Sequence, residues 1–397
     1  MREESAHHFL SFFLMNTTPS SAPQQNVPTF ATLGIQDNIL KVLSSKGFEV
    51  PTPIQWKSIP IACAGEDVIG IAQTGTGKTL AFAIPVIQEV LKTDCKALVL
   101  VPTRELALQV EDVFKVVGTS LGIRTGLIMG GVAVFKQRQV LQRNPHILIA
   151  TPGRLIDLLD RDLIKLKKVQ ILVLDEADRM FDMGFAPQVN QILKQTPSRE
   201  ERQTLLFSAT MPPEVIRLVT GHMKMPVHVE VAPQGAPASN VEQEMIVVHP
   251  KDKGHLLSKV IKESTGPVLV FSRTKYGAEK LMKSLRQEGH AAVDLHSNKS
   301  LAQRQHAMEG FKSGKYRIMV ATDIAARGID VSNIELVINY DLPESAEDYV
   351  HRIGRTGRAG KTGRALSFCA SNQGHMIAKI ERLMSKKLSR KQMHDFF

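Results

Sequence analysis

Cysteine is scarce in this chain: three in 397 residues, Cys63, Cys95 and Cys369, far apart and in neither CxxC nor metal-ligand spacing. That argues against a disulfide scaffold and a cysteine-based zinc site, and it fits a reducing, cytoplasmic setting. Aromatic residues make up 5% of the chain, with one tryptophan (Trp56) and four tyrosines, and the 13 histidines include no HExxH pair. No apolar run reaches the roughly 18 residues of a membrane-spanning helix, so no membrane partner is expected. At the N-terminus a short apolar run, Phe9–Met15, precedes a Ser/Thr/Pro/Gln stretch. It lacks a strong basic region and a clear small-residue cleavage site, which makes it a poor signal peptide. Residues 1–28 are expected to be a disordered extension, because such a tract buries too little apolar area to offset its ordering entropy. Met15 is a candidate natural start.

What the chain does have is ordinary globular composition, 43% hydrophobic and 22% charged, and a net charge of +11. The length suggests two or three domains. The charge is uneven: residues 1–240 carry 24 Lys and Arg against 22 Asp and Glu, and residues 241–397 carry 26 against 17. A polyanion held by one half more than the other would explain this, and so would a generically basic surface.

From Phe30 onward, short apolar runs alternate with helical patterns. Val68–Ala72, Ala97–Val101, Ile147–Ala150, Ile171–Leu174 and Thr204–Phe207 read as buried strands, with helical stretches such as Glu105–Val117 and Ala186–Lys194 between them. The alternation predicts parallel βαβ units with both sheet faces covered. It pauses at a Pro/Gly/Ala-rich stretch, Val231 to Asn240, and resumes with Pro267–Phe271, Arg317–Ala321, Glu335–Asn339 and Ala365–Cys369. The expectation is two α/β domains, 29–232 and 242–383, joined by a linker at 233–241 and followed by a short basic tail at 384–397. The alternative for that last segment is a final helix with a basic outer face.

Ala72-Gln73-Thr74-Gly75-Thr76-Gly77-Lys78-Thr79 directly follows the first strand. Glycines there let the backbone wrap phosphates with its N–H groups, Lys78 supplies a charge for the β- and γ-phosphates, and the Thr79 hydroxyl can ligate Mg²⁺. The usual pattern begins with glycine where this one has Ala72. A second strand ends in Asp175-Glu176-Ala177-Asp178, which sets Asp175 to hold Mg²⁺ and Glu176 to take a proton from an attacking water. In the second half, His351-Arg-Ile-Gly-Arg355-Thr-Gly-Arg358 puts three arginines and a histidine in eight residues. Such a cluster is not expected in a packed core. Arg355 and Arg358 can reach a γ-phosphate from the opposite domain as arginine fingers, the competing role being a nucleic-acid phosphate patch.

In this order the motifs resemble the DEAD-box family of ATP-dependent RNA helicases, in helicase superfamily 2, over about Phe30 to Phe368. The resemblance implies an α/β fold of two RecA-like parallel-sheet domains in tandem with a short flexible linker, and an RNA-stimulated ATPase with ATP and Mg²⁺ as cofactors. Phe30 looks like the isolated upstream aromatic, and Gly47 to Gln55, with Phe48 inside it, resembles the Q motif whose glutamine reads adenine. The A-x-T-G-x-G-K-T loop is the family's own form, which accounts for Ala72. Pro102-Thr103-Arg104, Gly130-Gly131 and Thr151-Pro152-Gly153-Arg154 look like RNA-contacting motifs of the first domain. By the same resemblance, Ser208 and Thr210 couple ATP turnover to closure around Asp178 and His351, Arg273 and Thr322 contact RNA backbone, and Asp330 contacts the ribose. The family's Q-x-x-R element reads Leu301-Ala-Gln-Arg304 here, which keeps Arg304 for a phosphate, whereas Leu301 cannot hydrogen-bond. Phe30-Ala-Thr-Leu-Gly and Arg179 to Phe185 look most like the bacterial RhlE-type branch.

The implied action is binding of single-stranded RNA and local unwinding of short duplexes, with ribonucleoprotein or RNA-decay partners. An ATP-gated RNA clamp and a DNA-directed translocase of the same superfamily are the alternatives. The DEAD spelling, Gln55 and Thr151–Arg154 argue against the translocase, and a short-duplex unwinding assay separates the clamp from the helicase.

Overall fold

The computed structural model describes residues 28–73, 75–231, 241–326, 334–357 and 362–393. Expectations at Thr74, Asp330 and Arg358, nearly all of the N-terminal extension and nearly all of the linker therefore lie outside the described residues.

The first half begins with helices α1 (Asp37–Ser45) and α2 (Pro53–Cys63). It continues with β1 (Val68–Ile71), α3 (Lys78–Thr93), β2 (Lys96–Leu100), α4 (Arg104–Gly118), β3 (Thr125–Ile128), α5 (Val134–Gln142), β4 (Ile147–Ala150) and α6 (Pro152–Asp160). Then come β5 (Val169–Asp175), α7 (Ala177–Asp182), α8 (Ala186–Gln195), β6 (Gln203–Ser208), α9 (Pro213–His222) and β7 (Val227–Glu230). The second half runs β8 (Val241–Val247), α10 (Lys253–Glu263), β9 (Val268–Phe271), α11 (Lys275–Gln287), β10 (Ala292–Leu295), α12 (Leu301–Lys312) and β11 (Ile318–Ala321). It ends with α13 (Asp323–Ala326), β12 (Leu336–Asn339), α14 (Ala346–Ile353), β13 (Gly363–Cys369), α15 (Gly374–Met384) and β14 (Ser389–Gln392).

Each half folds around a seven-stranded sheet, in the orders β3-β4-β2-β5-β6-β1-β7 and β10-β11-β9-β12-β13-β8-β14. All recorded pairs are parallel, as Ile71 beside Ser208 and Asn339 beside Ser367 illustrate. The central strands are fully buried because helices cover both faces, and so they read as unbroken apolar runs. Two apolar clusters flank each sheet, one per face; Phe82, Phe114 and Phe207 anchor one in the first half. Phe311 and Tyr349 anchor one in the second.

The predicted strands all form, with ends shifted by a residue or two. Five more were not singled out. β7 reads Val-His-Val-Glu and β8 reads Val-Glu-Gln-Glu-Met-Ile-Val, mixed patterns set by position near a sheet edge.

Segment 384–397 departs from both expectations made for it. The chain turns at Ser385 (φ +49°), and Ser389–Gln392 pairs with β8 as the last strand of the second sheet. Its basic residues, joined by Arg364 of β13, serve two carboxylates. Arg364 Nη2 lies 2.9 Å from Glu244 Oε2, and Lys391 pairs with the other oxygen. Lys387 and Arg390 reach Glu381 at 3.3 and 3.2 Å. Burial of Leu388 and Met384 completes the attachment.

Candidate nucleotide site and nucleic-acid groove

Functional residues gather at the C-terminal ends of the strands, where loops leave a rigid sheet. β1 opens into Ala72–Gly77, and α3 begins at Lys78. Gly77 has φ +89°, and a Cβ there would come 2.4 Å from Gln55 Nε2, so only glycine fits. Gln55 is itself buried. Its Oε1 accepts from Thr52 N at 2.9 Å, closing the first turn of α2, and its Nε2 donates to the Gly77 carbonyl at 3.0 Å. The residue expected to read adenine is thus clamped to the phosphate loop, and each amide atom keeps one further hydrogen-bonding position. Phe48 is partly exposed beside this element, whereas Phe30 is 4% exposed and packs in the core. Phe30 anchors the segment before α1 through that packing.

Lys78 is buried, with its ammonium donating to the Ala72 carbonyl. Burial pushes its pKa down, while Asp175, Glu176 and Asp178 pull it back up. β5 delivers those acids. Asp175 ends the strand, and Glu176 takes φ +53°, a strained left-handed turn that starts α7. Burial and repulsion from Glu176 raise Asp175 to about 7, against the pull of Lys78. Burial acts the same way on Glu176, but Arg179, Lys78 and Arg355 prevail and hold it below the usual carboxylate range. Arg179 is the nearest of these, its Nη1 paired with Glu176 Oε2. It was not foreseen as a site residue, although its place three positions after Glu176, one helical turn on, was a readable signal.

Asp178 joins two strand ends. Its Oδ2 accepts from Ala209 N, Thr210 N and Thr210 Oγ1 at 3.2, 2.9 and 2.9 Å, and its own N–H donates to Ser208 Oγ at 3.1 Å. Burial would raise it, but His351 of the second domain, Lys78 and these hydrogen bonds keep it low. His351 in turn falls to about 4 through burial and the nearby Arg179.

The arginine cluster corrects the view that it stays out of a packed interior. Arg352 is 2% exposed and Arg355 3%. Arg352 binds both oxygens of Asp323, donates to Asn339 Oδ1 at 3.0 Å and the Asp341 carbonyl at 2.6 Å, and lies 4.9 Å from the Phe271 ring centre. These partners satisfy the guanidinium and make its burial tolerable. Arg355 donates Nε to the His351 carbonyl at 3.1 Å and acts electrostatically on Glu176 across the cleft.

A cavity of about 420 Å³ lies between the domains. It is lined by Pro102–Glu105, Gly130, Thr151, Gly153 and Arg154 from the first domain and by Ser297 and Arg304 from the second. Thr103 Oγ1 caps α4 by accepting from Leu106 N, and Thr151 starts α6 with Pro152 at its first position. The Arg104 guanidinium lies against Gly130 and Gly131, where a Cβ would stand 2.9 and 2.5 Å from its nitrogens. Arg154 Nη1 donates to the Val132 carbonyl at 2.6 Å and to Gln137 Oε1 at 3.0 Å. In the second domain Arg273 is exposed, and Thr322 N donates to the Leu295 carbonyl at 3.2 Å.

Arg304, expected to meet a phosphate, lines the groove and is paired across the domains. It is 7% exposed, with Nε 2.5 Å from Glu105 Oε1 and Nη1 on the His296 carbonyl. Buried Glu105 requires a cation, and the pair ties the domains together. The residues are 199 apart in sequence, and no local pattern announces such a contact. Leu301 is the first residue of α12, whose start is capped by Ser300 and Gln303.

Among the described residues no group of three or more His, Cys, Asp or Glu side chains forms a metal cage. The oxygens of Asp175 and Thr79 suit Mg²⁺, which takes few protein ligands when nucleotide phosphates supply the others.

A parallel-sheet pair with a phosphate loop and acids on one domain and arginines on the other defines a two-domain RecA-like ATPase. Residues 52–219 match the DEAD/DEAH box helicase family and residues 252–360 the helicase conserved C-terminal domain. The chain is 42% identical over 365 residues to the DEAD-box ATP-dependent RNA helicase CshA of Geobacillus kaustophilus, covering 91% of this chain and 78% of that protein. Among solved structures, S. cerevisiae Dbp5 bound to RNA and ADP BeF3 superposes with TM-score 0.81 at 29% identity, covering 93% of this chain and 96% of that one. The DEAD box protein from Methanococcus jannaschii gives 0.53 at 39% identity, covering 91% and 98%. The less identical Dbp5 superposes better over the whole chain. This chain belongs to the DEAD-box family of ATP-dependent RNA helicases. It is an RNA-dependent ATPase.

Proposed function

We propose that ATP binds between the phosphate loop and the arginines of the second domain while single-stranded RNA lies in the Arg104–Arg154 groove. Each ligand favours the closed arrangement, and closure bends one strand and opens a short duplex locally. The observation that carries this reading is that the acids of the first domain and His351 and Arg355 of the second meet across one cleft, while a separate interdomain groove holds Arg104 and Arg154.

In this reading Gln55 reads adenine, Lys78 and the amides of 72–79 hold phosphates, and Asp175 with Thr79 holds Mg²⁺, which supplies charge neutralisation at the phosphates. Glu176 orients and deprotonates the attacking water, with Arg179 steering its carboxylate. Arg355 and Arg358 stabilise charge on the transferred phosphoryl group. Asp178, Ser208, Thr210 and His351 couple that chemistry to closure, and Asp330 meets the ribose. Arg154, Thr151, Arg273 and Thr322 contact RNA phosphates and sugar, giving little sequence preference and strong salt dependence.

We place the domains at 29–232 and 242–383, the second extended by β14, with the linker between them and a cytoplasmic location. The RhlE-type branch is proposed on Phe30–Gly34 and Arg179–Phe185 alone, since the relative named above is a CshA. Ribonucleoprotein or RNA-decay assemblies are the proposed setting.

The test is steady-state ATPase without nucleic acid, with single-stranded RNA, and with DNA of the same sequence, at two salt concentrations. Stimulation by RNA alone, weakened by salt, is expected. Equal stimulation by DNA would overturn the RNA reading.

A further inference from the structure

The loop after β10 supplies part of the groove's second-domain wall, and a carboxylate near the end of that strand holds it. Asp294 is 3% exposed. A buried carboxylate is costly unless it is paired and hydrogen-bonded, and here the loop itself takes both oxygens. Lys299 Nζ lies 2.8 Å from Oδ1, and His296 Nε2 lies 2.9 Å from Oδ2. A carboxylate only accepts, so Nε2 carries the hydrogen and donates. His296 is as buried as Asp294, and its Nδ1 has no partner among the described residues. Its hydrogen-bonding side chain is therefore committed to Asp294.

Groove residues attach to the chain between these two anchors. The His296 carbonyl accepts from Lys299 N at 3.1 Å and from Arg304 Nη1 at 3.3 Å. The same guanidinium reaches Glu105 of the first domain through Nε at 2.5 Å. Ser297 lines the groove, and Asn298 Oδ1 accepts from Lys275 Nζ at 3.0 Å. Asp294 makes none of these contacts; it holds the loop that makes them. The nucleotide-facing residues are placed elsewhere. β10 is the outermost strand, and α14, which carries His351, follows β12 three strands away.

We infer that Asp294, acting through His296 and Lys299, is a positioning residue for RNA binding. It holds the His296 carbonyl where Arg304 can span from the loop to Glu105, and so sets the width and wall of the groove. This rests on the groove reading proposed above and adds to it the device that fixes one side of the groove.

The test titrates the full chain with single-stranded RNA in a steady-state ATPase assay. It reads the RNA concentration for half-stimulation separately from KM for ATP and from turnover without RNA. Asp294→Ala is expected to raise half-stimulating RNA about tenfold, with KM for ATP and RNA-free turnover at wild-type values. Asp294→Asn keeps an oxygen for His296 and should stay within about threefold of wild type. His296→Phe keeps a ring but no donor; it should match the alanine variant and supplies the same test if Asp294→Ala fails to fold. In an Arg304→Ala background, Asp294→Ala should add much less than its own loss, because the two act in one chain of contacts. Unchanged RNA half-stimulation, an equal shift in KM for ATP, or full additivity with Arg304→Ala would overturn the inference. A wild-type chain that RNA does not stimulate would overturn the groove reading itself.

Discussion

The two halves share one scaffold and divide the chemistry. Strand for strand the sheet orders correspond: β1 to β8, β2 to β9, β3 to β10, β4 to β11, β5 to β12, β6 to β13 and β7 to β14. Corresponding strand ends even share details, for Thr103 after β2 and Thr274 after β9 both cap the next helix with a side-chain oxygen. Yet β1 opens into a glycine-rich phosphate loop, whereas β8 opens into Val248-His249-Pro250. β5 ends in the acids of the DEAD motif, whereas β12 ends in Asn339, which receives Arg352. A common sheet brings equivalent loops to equivalent places, and the loop residues alone decide which half holds the nucleotide and which completes the site.

The sharpest way to break that division is to remove the second half's contribution. Arg355→Ala is expected to lower kcat for RNA-stimulated ATP hydrolysis by on the order of 10³ or more while fluorescent ATP binding persists. If only RNA affinity fell, the arginines would be a nucleic-acid patch. Glu176→Gln tests the first half and should cut turnover by about 10²–10⁴ with ATP binding intact; near-normal turnover would remove the residue from the base role. Gln55→Ala should erode discrimination between ATP and GTP in competition binding, and unchanged selectivity would contradict the adenine role.

pH sharpens the comparison because His351 belongs to the second half and Asp178 to the first. His351 is depressed to about 4 in the folded chain from an ordinary value near 6.5. The unfolded chain therefore binds more protons between those values, and stability falls as pH drops from about 6.5 to 4, by a total on the order of 3 kcal/mol. Thermal unfolding across that window should show a shallower fall for His351→Gln; an identical fall would place the titration elsewhere. The smallest effect is expected at the far edge. Glu244→Gln weakens the contacts of Arg364 and Lys391 that hold β14 and should cost about 1 kcal/mol in urea unfolding, with little change in ATPase.

The linear chain by itself determined the alternating pattern, and with it the two parallel-sheet domains, because strands covered on both faces must be apolar throughout. It also determined the phosphate loop and the DEAD acids, since each is a contiguous run whose chemistry depends on neighbours a few residues away. Tertiary structure alone decided the rest. Phe30 was legible as an aromatic but not as a core residue. The last basic segment was legible as charge but not as a strand, because a carboxylate far off in sequence, Glu244, together with nearby Glu381 recruits it to an edge. Arg304 with Glu105, and His351 with Asp178, meet only when separate sheets face each other. No periodicity or local spacing records a contact between side chains carried by two separate sheets.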